Sequence, residues 1–259
     1  MIQRQQEACV AAALAGGQVL LRHFRQLDPA LVSEKSKNDL VSQADRDSEA
    51  VIKAELDGRF PGYRFLGEES GASGGVDGPR WIVDPLDGTL NFVQGFPHWC
   101  VSVALWDDQG GVVGCIHDPL RQDLFVAARG RGASWNGRPM AVSRQAGLDG
   151  AFLATGFAWQ LQERYPAYNR ALSAVFPRAK GIRRAGSAAL DLAHTAAGIY
   201  DGYFELGLKP WDIAAGVILV GEAGGVVSDW QGGAGWMASG NLVAGNPGVG
   251  RELVAAVNP

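Results

Sequence analysis

Two early segments of the chain carry apolar residues at helical spacing. In residues 3–25, Ala8, Ala11, Ala12, Ala15 and Val19 fall on one stripe. The spacing of Ile52 and Leu56 indicates a second helix over residues 44–58. Both patterns have the period of about 3.6 residues that a helix shows when one of its sides packs on a core. We therefore expect two helices near the start of the chain.

Short apolar runs follow, each bounded by Gly, Asp or Pro, as strands commonly are. They occupy residues 64–66, 81–83, 100–106, 111–117 and 123–127. Asn136-Gly137 then stands between extended residues, which favours a two-residue hairpin turn. The first half of the chain is thus predicted to be rich in strands joined by hairpins.

Strands and helices alternate in the second half of the chain. Strands are expected at residues 151–155, 200–205, near 226 and at 242–244, and helices at 163–176, from 187, at 212–223 and from 248. Hairpins followed by βα units indicate stacked α and β layers, a mixed α/β (α+β) fold, rather than one parallel sheet. We treat residues 1–259 as a single unit, with a soft division into 1–145 and 146–259.

Composition and charge narrow the range of functions. The 259 residues are 47% hydrophobic, which supports one substantial core or two closely packed ones. A net charge of −4 argues against a nucleic-acid coat or a membrane-surface role. The apolar stretch over residues 8–21 is too short to span a bilayer. We expect a soluble protein that does not bind membranes.

The cysteines suggest where the protein works. Cys9, Cys100 and Cys115 are odd in number and form no CxxC pair. Such a set is typical of reduced, mostly buried thiols. The cysteines therefore favour a cytoplasmic location.

Two carboxylates close together form the most informative feature of the sequence. An apolar run at residues 81–83 leads directly into Asp84, and Pro85 favours a turn that brings Asp87 back towards it. Two carboxylates about 4 Å apart repel by about 4 kcal/mol at an effective dielectric of about 20. Either one of them stays protonated or a cation lies between them. A capped turn is the alternative, because Asp-x-x-Asp-Gly-Thr is also common at turns and helix starts.

Two further acidic residues favour the cation. Glu68 follows a short strand and precedes a glycine-rich loop, and Asp212 falls in the first turn of a predicted helix. A carboxylate in a first helical turn also serves as a cap, so Asp212 taken alone is ambiguous. Acidic oxygen ligands without paired His or Cys favour a hard ion such as Mg²⁺ over zinc.

Gly88 and Thr89 supply a phosphate site in this interpretation. If a helix begins at Thr89, its free amides point at whatever the ions hold, and phosphate suits that position. The layout is that of a two-metal phosphoryl-transfer site, in which the metals activate a water and stabilise the leaving oxygen. The four histidines fit no nucleophile motif, so we expect them to be structural or at the surface.

With these residues assembled, the chain resembles the inositol monophosphatase family from about residue 5 onwards. The first family signature is similar to residues 81–105, which contain the run DPLDGT. The second is similar to residues 211–216, and the GEES run at 67–70 fills a third acidic position. The resemblance implies an αβαβα sandwich of the inositol monophosphatase and fructose-1,6-bisphosphatase type. It also implies a homodimer and sensitivity to lithium.

The resemblance implies a set of Mg²⁺ ligands. Glu68, Asp84 and the backbone carbonyl of Leu86 would hold one ion. Asp84, Asp87 and Asp212 would hold a second. Glu68 would also lie near a weaker third ion, so roughly two to three ions are expected.

The resemblance implies catalytic and substrate contacts as well. Thr89, hydrogen-bonded towards Asp45, would orient the attacking water, and Glu68 completes the catalytic set. Lys35 resembles the lysine of the family's mobile metal-site loop, with Lys37 as the alternative. The implied substrate-binding residues are Asp87, Gly88, Thr89, Gly186, Ser187, Ala188, Glu205 and Asp212.

The expected function is Mg²⁺-dependent hydrolysis of inositol monophosphate, with a small phosphorylated polyol or sugar as substrate. Fructose-1,6-bisphosphatase and nucleotide 3′-phosphatase activity are alternatives within the family. The run RRAGSAALDL at residues 183–192 is similar to that of a bacterial family member that also serves in ribosomal-RNA antitermination. A third alternative is therefore a transcription partner with incidental phosphatase activity, which would use Arg183 and Arg184 for contact. A solvated turn is the simpler explanation of these two arginines.

Overall fold

The computed structural model describes residues 1–26, 32–36, 39–157 and 161–258, with no side-chain description for 32–36 and 39–41. The two helices expected from the apolar spacing are present as α1 (Ile2–His23) and α2 (Gln43–Arg59). Between them in sequence lies an antiparallel pair, β1 (Val32–Ser36) and β2 (Asp39–Ser42), which the apolar pattern did not predict.

The larger sheet has eight strands in the order β10-β9-β8-β7-β6-β5-β3-β4, and only the β3–β5 pair is parallel. Its strands are β3 (Arg64–Gly67), β4 (Gly71–Ser73), β5 (Arg80–Asp87), β6 (Cys100–Asp107), β7 (Gly110–Asp118), β8 (Asp123–Ala128), β9 (Ala133–Trp135) and β10 (Arg138–Met140). The predicted hairpin at Asn136-Gly137 joins β9 to β10. Both residues have positive φ, as a two-residue turn of this kind requires.

The smaller sheet has five strands in the order β12-β11-β13-β15-β14, with β12, β11 and β13 mutually parallel. These strands are β11 (Phe152–Thr155), β12 (Gly181–Arg183), β13 (Gly202–Glu205), β14 (Val226–Ser228) and β15 (Leu242–Gly245). The remaining helices are α3 (Thr89–Val93), α4 (Tyr165–Val175), α5 (Ala188–Ala196), α6 (Pro210–Glu222), α7 (Trp236–Ser239) and α8 (Pro247–Val257). The expected alternation of strands and helices in the second half is thus confirmed.

Alternate residues of β5 face opposite layers, as the pleat of a strand requires. Trp81 belongs to the core formed with α1 and α2, whereas Ile82 belongs to the core formed with α5 and α6. Tyr203 of the smaller sheet joins that middle core, and Phe204 joins an outer core with α4 and α8. The layers therefore follow one another as α, β, α, β, α, which confirms the predicted fold class.

The larger sheet ends at Met140 and the smaller sheet begins at Phe152. The division of the chain into two halves near residues 140–150 stays a prediction. Across the described residues, no helix is both long and apolar enough to cross a membrane. The three cysteines are free and buried, as the sequence indicated.

Candidate active site

β5 carries Asp84 and Asp87 into the interior, where their side chains are 2% and 9% exposed. The predicted turn at Pro85 is wrong, because the strand continues to Asp87. Opposite Ser102 and Cys100 of β6, the strand instead has a bulge between the two aspartates. Proline is tolerated at such a bulge since it has no N–H to donate to the ladder.

Asp84 lies in an acidic environment. Burial raises its pKa well above the usual range, and the negative charges of Glu68, Asp87 and Asp212 raise the pKa further. Asp212 behaves in the same way, since burial and the charges of Asp87 and Glu68 raise its pKa while a hydrogen bond from the Lys209 amide lowers it. Three separate segments of the chain thus place acidic side chains within electrostatic range of one another.

Asp87 also attaches the start of α5 to the larger sheet. Its Oδ2 accepts hydrogen bonds from Ser187 Oγ at 2.5 Å and from the Ala189 amide at 2.7 Å. Burial raises the pKa of Asp87 to about 6, and these hydrogen bonds act in the opposite direction. Ser187 is in turn the N-cap of α5, since its Oγ accepts the Leu190 amide at 3.3 Å. Ser187 therefore contacts the acidic cluster, and Gly186 and Ala188 flank it in sequence.

Glu49 holds the segment that presents Glu68, a role that the sequence interpretation missed. Its two carboxylate oxygens accept the amides of Glu69 and Ser70, each at 2.8 Å. Glu49 is buried on α2, one turn beyond Asp45. A carboxylate at this i+4 position, on the face that already carries a candidate catalytic residue, is the signal that would have identified it.

Replacing Glu49 with Gln tests this role. The amide group of Gln would point a donor at a backbone N–H, so one hydrogen bond is lost and one buried donor is left unpaired. We expect the free energy of unfolding to fall by about 1–3 kcal/mol. Denaturant titration measures this loss. Glu55→Gln is the matched control on α2, because its partner Arg59 lies on the exposed surface, and an equal loss in the control would contradict the role of Glu49.

Asp45 and Thr89 form the hydrogen bond that the resemblance implied. Thr89 Oγ1 lies 3.2 Å from Asp45 Oδ1 and 3.0 Å from the Leu86 carbonyl oxygen, so its single proton has two acceptors. The other oxygen of Asp45 accepts the amide and the hydroxyl of Ser42, at 2.8 Å and 2.6 Å. Burial raises the pKa of Asp45, and the hydrogen bonds from Ser42 and Thr89 partly offset that rise.

Gly88 stands where the chain turns into α3, with φ at 95°. A Cβ there would lie 3.0 Å from the His98 carbonyl oxygen and 3.3 Å from that of Gly186. Asn91 Nδ2 donates to the His98 and Ala185 carbonyls at 2.8 Å and 2.9 Å. The predicted phosphate-binding turn and the predicted sugar-binding segment are therefore in contact. The predicted helix start at Thr89 is confirmed, although α3 has only 5 residues.

Glu205 ends β13 on the same side of the smaller sheet as the middle layer, and its side chain is 9% exposed. Burial raises its pKa to about 7, with hydrogen bonding from Tyr203 and the charge of Arg184 acting to lower the pKa. The negative charge of Asp87 adds to the rise. Glu205 is thus part of the same electrostatic cluster as the candidate metal ligands.

Arg183 and Arg184 are both exposed, but they have different neighbours. The Arg183 guanidinium lies 4.7 Å from the Phe152 ring centroid, and the Arg184 guanidinium lies 4.8 Å from that of Phe157. Of these two arginines, it is the charge of Arg184 that lowers the pKa of Glu205. The side chain of Lys35 lies outside the described residues, and Lys37 lies outside them altogether.

The acidic cluster suits a divalent cation by its chemistry. It offers hard carboxylate oxygens, and their mutual repulsion is relieved when a cation binds. Among the described residues, however, no three His, Cys, Asp or Glu side chains are arranged closely enough to hold a metal ion in their present positions. The individual metal ligands stay a prediction.

The fold and this acidic cluster indicate a class of phosphatases. Comparison with known proteins identifies that class. The model of the inositol monophosphatase family matches residues 2–258. The Nus factor SuhB of Escherichia coli strain K12 is 43% identical over 247 residues, which are 95% of this chain and 92% of that protein.

Two solved structures are similar to the whole molecule. The extragenic suppressor protein suhB from Bartonella henselae has 41% identity and a TM-score of 0.92, covering 97% of both chains. Inositol monophosphatase from Anabaena (Nostoc) sp. PCC 7120 has 39% identity and a TM-score of 0.86, covering 98% of this chain and 95% of the other. The chain belongs to the inositol monophosphatase family. The resemblance inferred from the acidic motifs is confirmed.

Proposed function

We propose that the protein is a Mg²⁺-dependent phosphomonoesterase that hydrolyses inositol monophosphate to inositol and phosphate by a metal-activated water. The observation that carries the proposal is the mutual electrostatic effect of Glu68, Asp84, Asp87 and Asp212, of which Asp84 and Asp87 are buried. Carboxylates are retained at such a site when a cation offsets their repulsion. Family membership supports both the reaction type and the metal.

The ligands follow from the same cluster. Glu68, Asp84 and the Leu86 carbonyl would hold one ion, and Asp84, Asp87 and Asp212 a second. Bound Mg²⁺ would supply charge stabilisation for the phosphate and a water of lowered pKa. Because Asp87 Oδ2 is already engaged by α5, its Oδ1 is the oxygen available for a cation.

The chain's own residues then hold the water and the substrate. With the Leu86 carbonyl committed to an ion, Thr89 Oγ1 would donate its proton to Asp45, which leaves its lone pairs to accept a hydrogen bond from the attacking water. Ser42 holds Asp45 in place through two hydrogen bonds to its other oxygen. Amides at the start of α3 would bind the phosphate oxygens. Glu205 and the segment 186–188 would meet the hydroxyls of the polyol.

The decisive experiment is a substrate panel assayed for phosphate release with and without Mg²⁺. Inositol 1-phosphate, fructose 1,6-bisphosphate and phosphoadenosine are compared at equal concentration. We expect inositol 1-phosphate to give the highest kcat/KM and EDTA to abolish release. A preference of tenfold or more for either other compound would assign that activity instead, and release that survives EDTA would overturn the metal-dependent mechanism.

A second candidate function is contact with a transcription complex, favoured by relatives that carry the name Nus factor. The exposed Arg183 and Arg184 are the proposed contact residues. Arg183→Ala separates this role from catalysis, because Arg183 does not act on Glu205 whereas Arg184 does. We expect Arg183→Ala to weaken binding to purified RNA polymerase bound to Nus factors while phosphate release is kept. The control is Arg131→Ala at an exposed turn of the larger sheet; equal binding by the three proteins would exclude Arg183 from the contact.

We also propose a cytoplasmic homodimer that is inhibited by lithium. The three free, buried cysteines fit a reducing compartment. Family membership supports the dimer and the lithium sensitivity. Light scattering on the purified protein measures the oligomeric state, and a lithium titration of phosphate release measures the inhibition.

A further inference from the structure

Two residues outside the predicted set surround the Glu205 carboxylate. The Tyr203 hydroxyl donates a hydrogen bond to Glu205 Oε2 at 2.5 Å. The Tyr203 side chain is fully buried in the middle core. Tyr203 and Glu205 are separated by one residue on β13, so both side chains project from the same face of the strand. The hydroxyl therefore fixes one carboxylate oxygen from within the core.

Gly156 borders the same carboxylate from the end of β11. A Cβ at this position would lie 2.0 Å from Glu205 Oε2 and 2.4 Å from its Cδ. All three of the nearest atoms belong to Glu205, and the backbone of Gly156 is not in the left-handed region. Alanine at this position would therefore displace the Glu205 carboxylate, and it would not strain the backbone. The carboxylate occupies the space that any side chain at position 156 would need.

The backbone beneath Glu205 is held as well. Trp230 Nε1 donates to the Glu205 carbonyl oxygen at 3.1 Å, and Thr155 Oγ1 donates to the Phe204 carbonyl at 2.7 Å. Both the strand and the carboxylate are therefore held in position before a ligand binds. Holding a contact residue in its bound geometry lowers the entropy cost of binding.

We propose that Tyr203 and Gly156 are positioning residues that hold the Glu205 carboxylate where a substrate hydroxyl meets it. The inference rests on the proposed function, because it takes the substrate to be a hydroxyl-bearing phosphate ester. Tyr203 supplies the hydrogen bond, and Gly156 supplies the space. Both residues act through the Glu205 carboxylate, so their expected effect is on substrate binding and not on the chemical step.

The kinetic test is a double-mutant cycle on inositol 1-phosphate. Tyr203→Phe is expected to raise KM about tenfold while kcat changes by less than about twofold, since one hydrogen bond to a charged group is removed from the free enzyme. In a Glu205→Ala background the same change is expected to add nothing to KM. Tyr200→Phe is the matched control, because that buried tyrosine makes no hydrogen bond through its hydroxyl among the described residues. An undiminished Tyr203→Phe effect in the Glu205→Ala background would overturn the proposal.

A stability test works without any substrate. Gly156→Ala is expected to lower Tm by about 3 °C or more, and the loss is expected to disappear when Glu205 is also changed to Ala. An equal loss in both backgrounds would show that Glu205 does not fill that space. If the wild type cleaves a hydroxyl-free phosphate ester but no polyol phosphate, the proposed substrate fails, while the stability test still decides whether Gly156 borders Glu205.

Discussion

Asp84→Asn is expected to abolish phosphate release and, at the same time, to stabilise the protein in the absence of metal. Asp84 is 2% exposed, and three other carboxylates raise its pKa. Asparagine keeps the acceptor that binds the Leu86 amide at 3.0 Å but carries no charge. Removing one buried charge from this cluster should raise the free energy of unfolding by about 1–3 kcal/mol. Loss of a shared metal ligand should lower kcat/KM by about 10³-fold.

The two measurements are urea unfolding in EDTA and phosphate release in saturating Mg²⁺. Asp118→Asn is the matched control, since Asp118 is equally buried on β7 but pairs with Arg121. That variant should show the reverse pattern, with lower stability and retained activity, because Asn would place an amide donor at the buried position where Asp118 Oδ2 accepts from Arg121. An Asp84→Asn protein that is less stable than the wild type in EDTA would show that the carboxylate cluster carries no excess repulsion.

Mg²⁺ should stabilise the protein strongly at pH 8 and weakly at pH 5. The pKa of Asp87 is raised from 3.8 to about 6 in the folded, ion-free protein. A folded-state pKa above the unfolded value means that the folded protein binds the extra proton between these two pH values. Without metal, protonated Asp87 therefore contributes to the free energy of unfolding below pH 3.8, and this contribution is lost as pH rises through about 6. The raised pKa values of Asp84 and Asp212 act with the same sign.

A divalent cation competes with those protons, so its effect grows as the carboxylates ionise. Mg²⁺ at about 100 times its Kd adds about 2.7 kcal/mol of stability, which corresponds to a rise in Tm of several degrees. Thermal unfolding at pH 5 and pH 8, with and without Mg²⁺, measures the difference. Asp84→Asn should lose most of the Mg²⁺ effect at pH 8. If Mg²⁺ shifts Tm equally at both pH values, binding does not involve these carboxylates.

Sequence was most informative where local chemistry determines the structure. Ser187 was expected to begin a helix and is the N-cap of α5, and Asn136-Gly137 was expected to form a hairpin and does so. Asp212 was placed in a first helical turn, where it does accept the Lys209 amide at 2.7 Å. The cap interpretation is therefore confirmed, and the same carboxylate also raises the pKa of Asp84. The role of Asp212 as a metal ligand stays a prediction.

Interactions between distant segments were not accessible in this way. Pro85 suggested a turn, but pairing of β5 with β6 opposes a local turn and a bulge forms in its place. Glu49 acts on the amides of Glu69 and Ser70, which only folding brings to it. The sequence identified each acidic residue individually. Their effect on one another's pKa follows only from the folded structure.

The acidic cluster draws its members from both sides of the chain's midpoint, with Asp84 and Asp87 on β5 and Asp212 on α6. An ion held jointly by β5 and α6 would link these two elements. Ion binding and the packing of the two elements against each other would then be thermodynamically coupled. Resistance to proteolysis in the connection between Met140 and Phe152 should then follow the free Mg²⁺ concentration. Bound metal would then slow proteolytic degradation of the protein as well as support hydrolysis of the substrate.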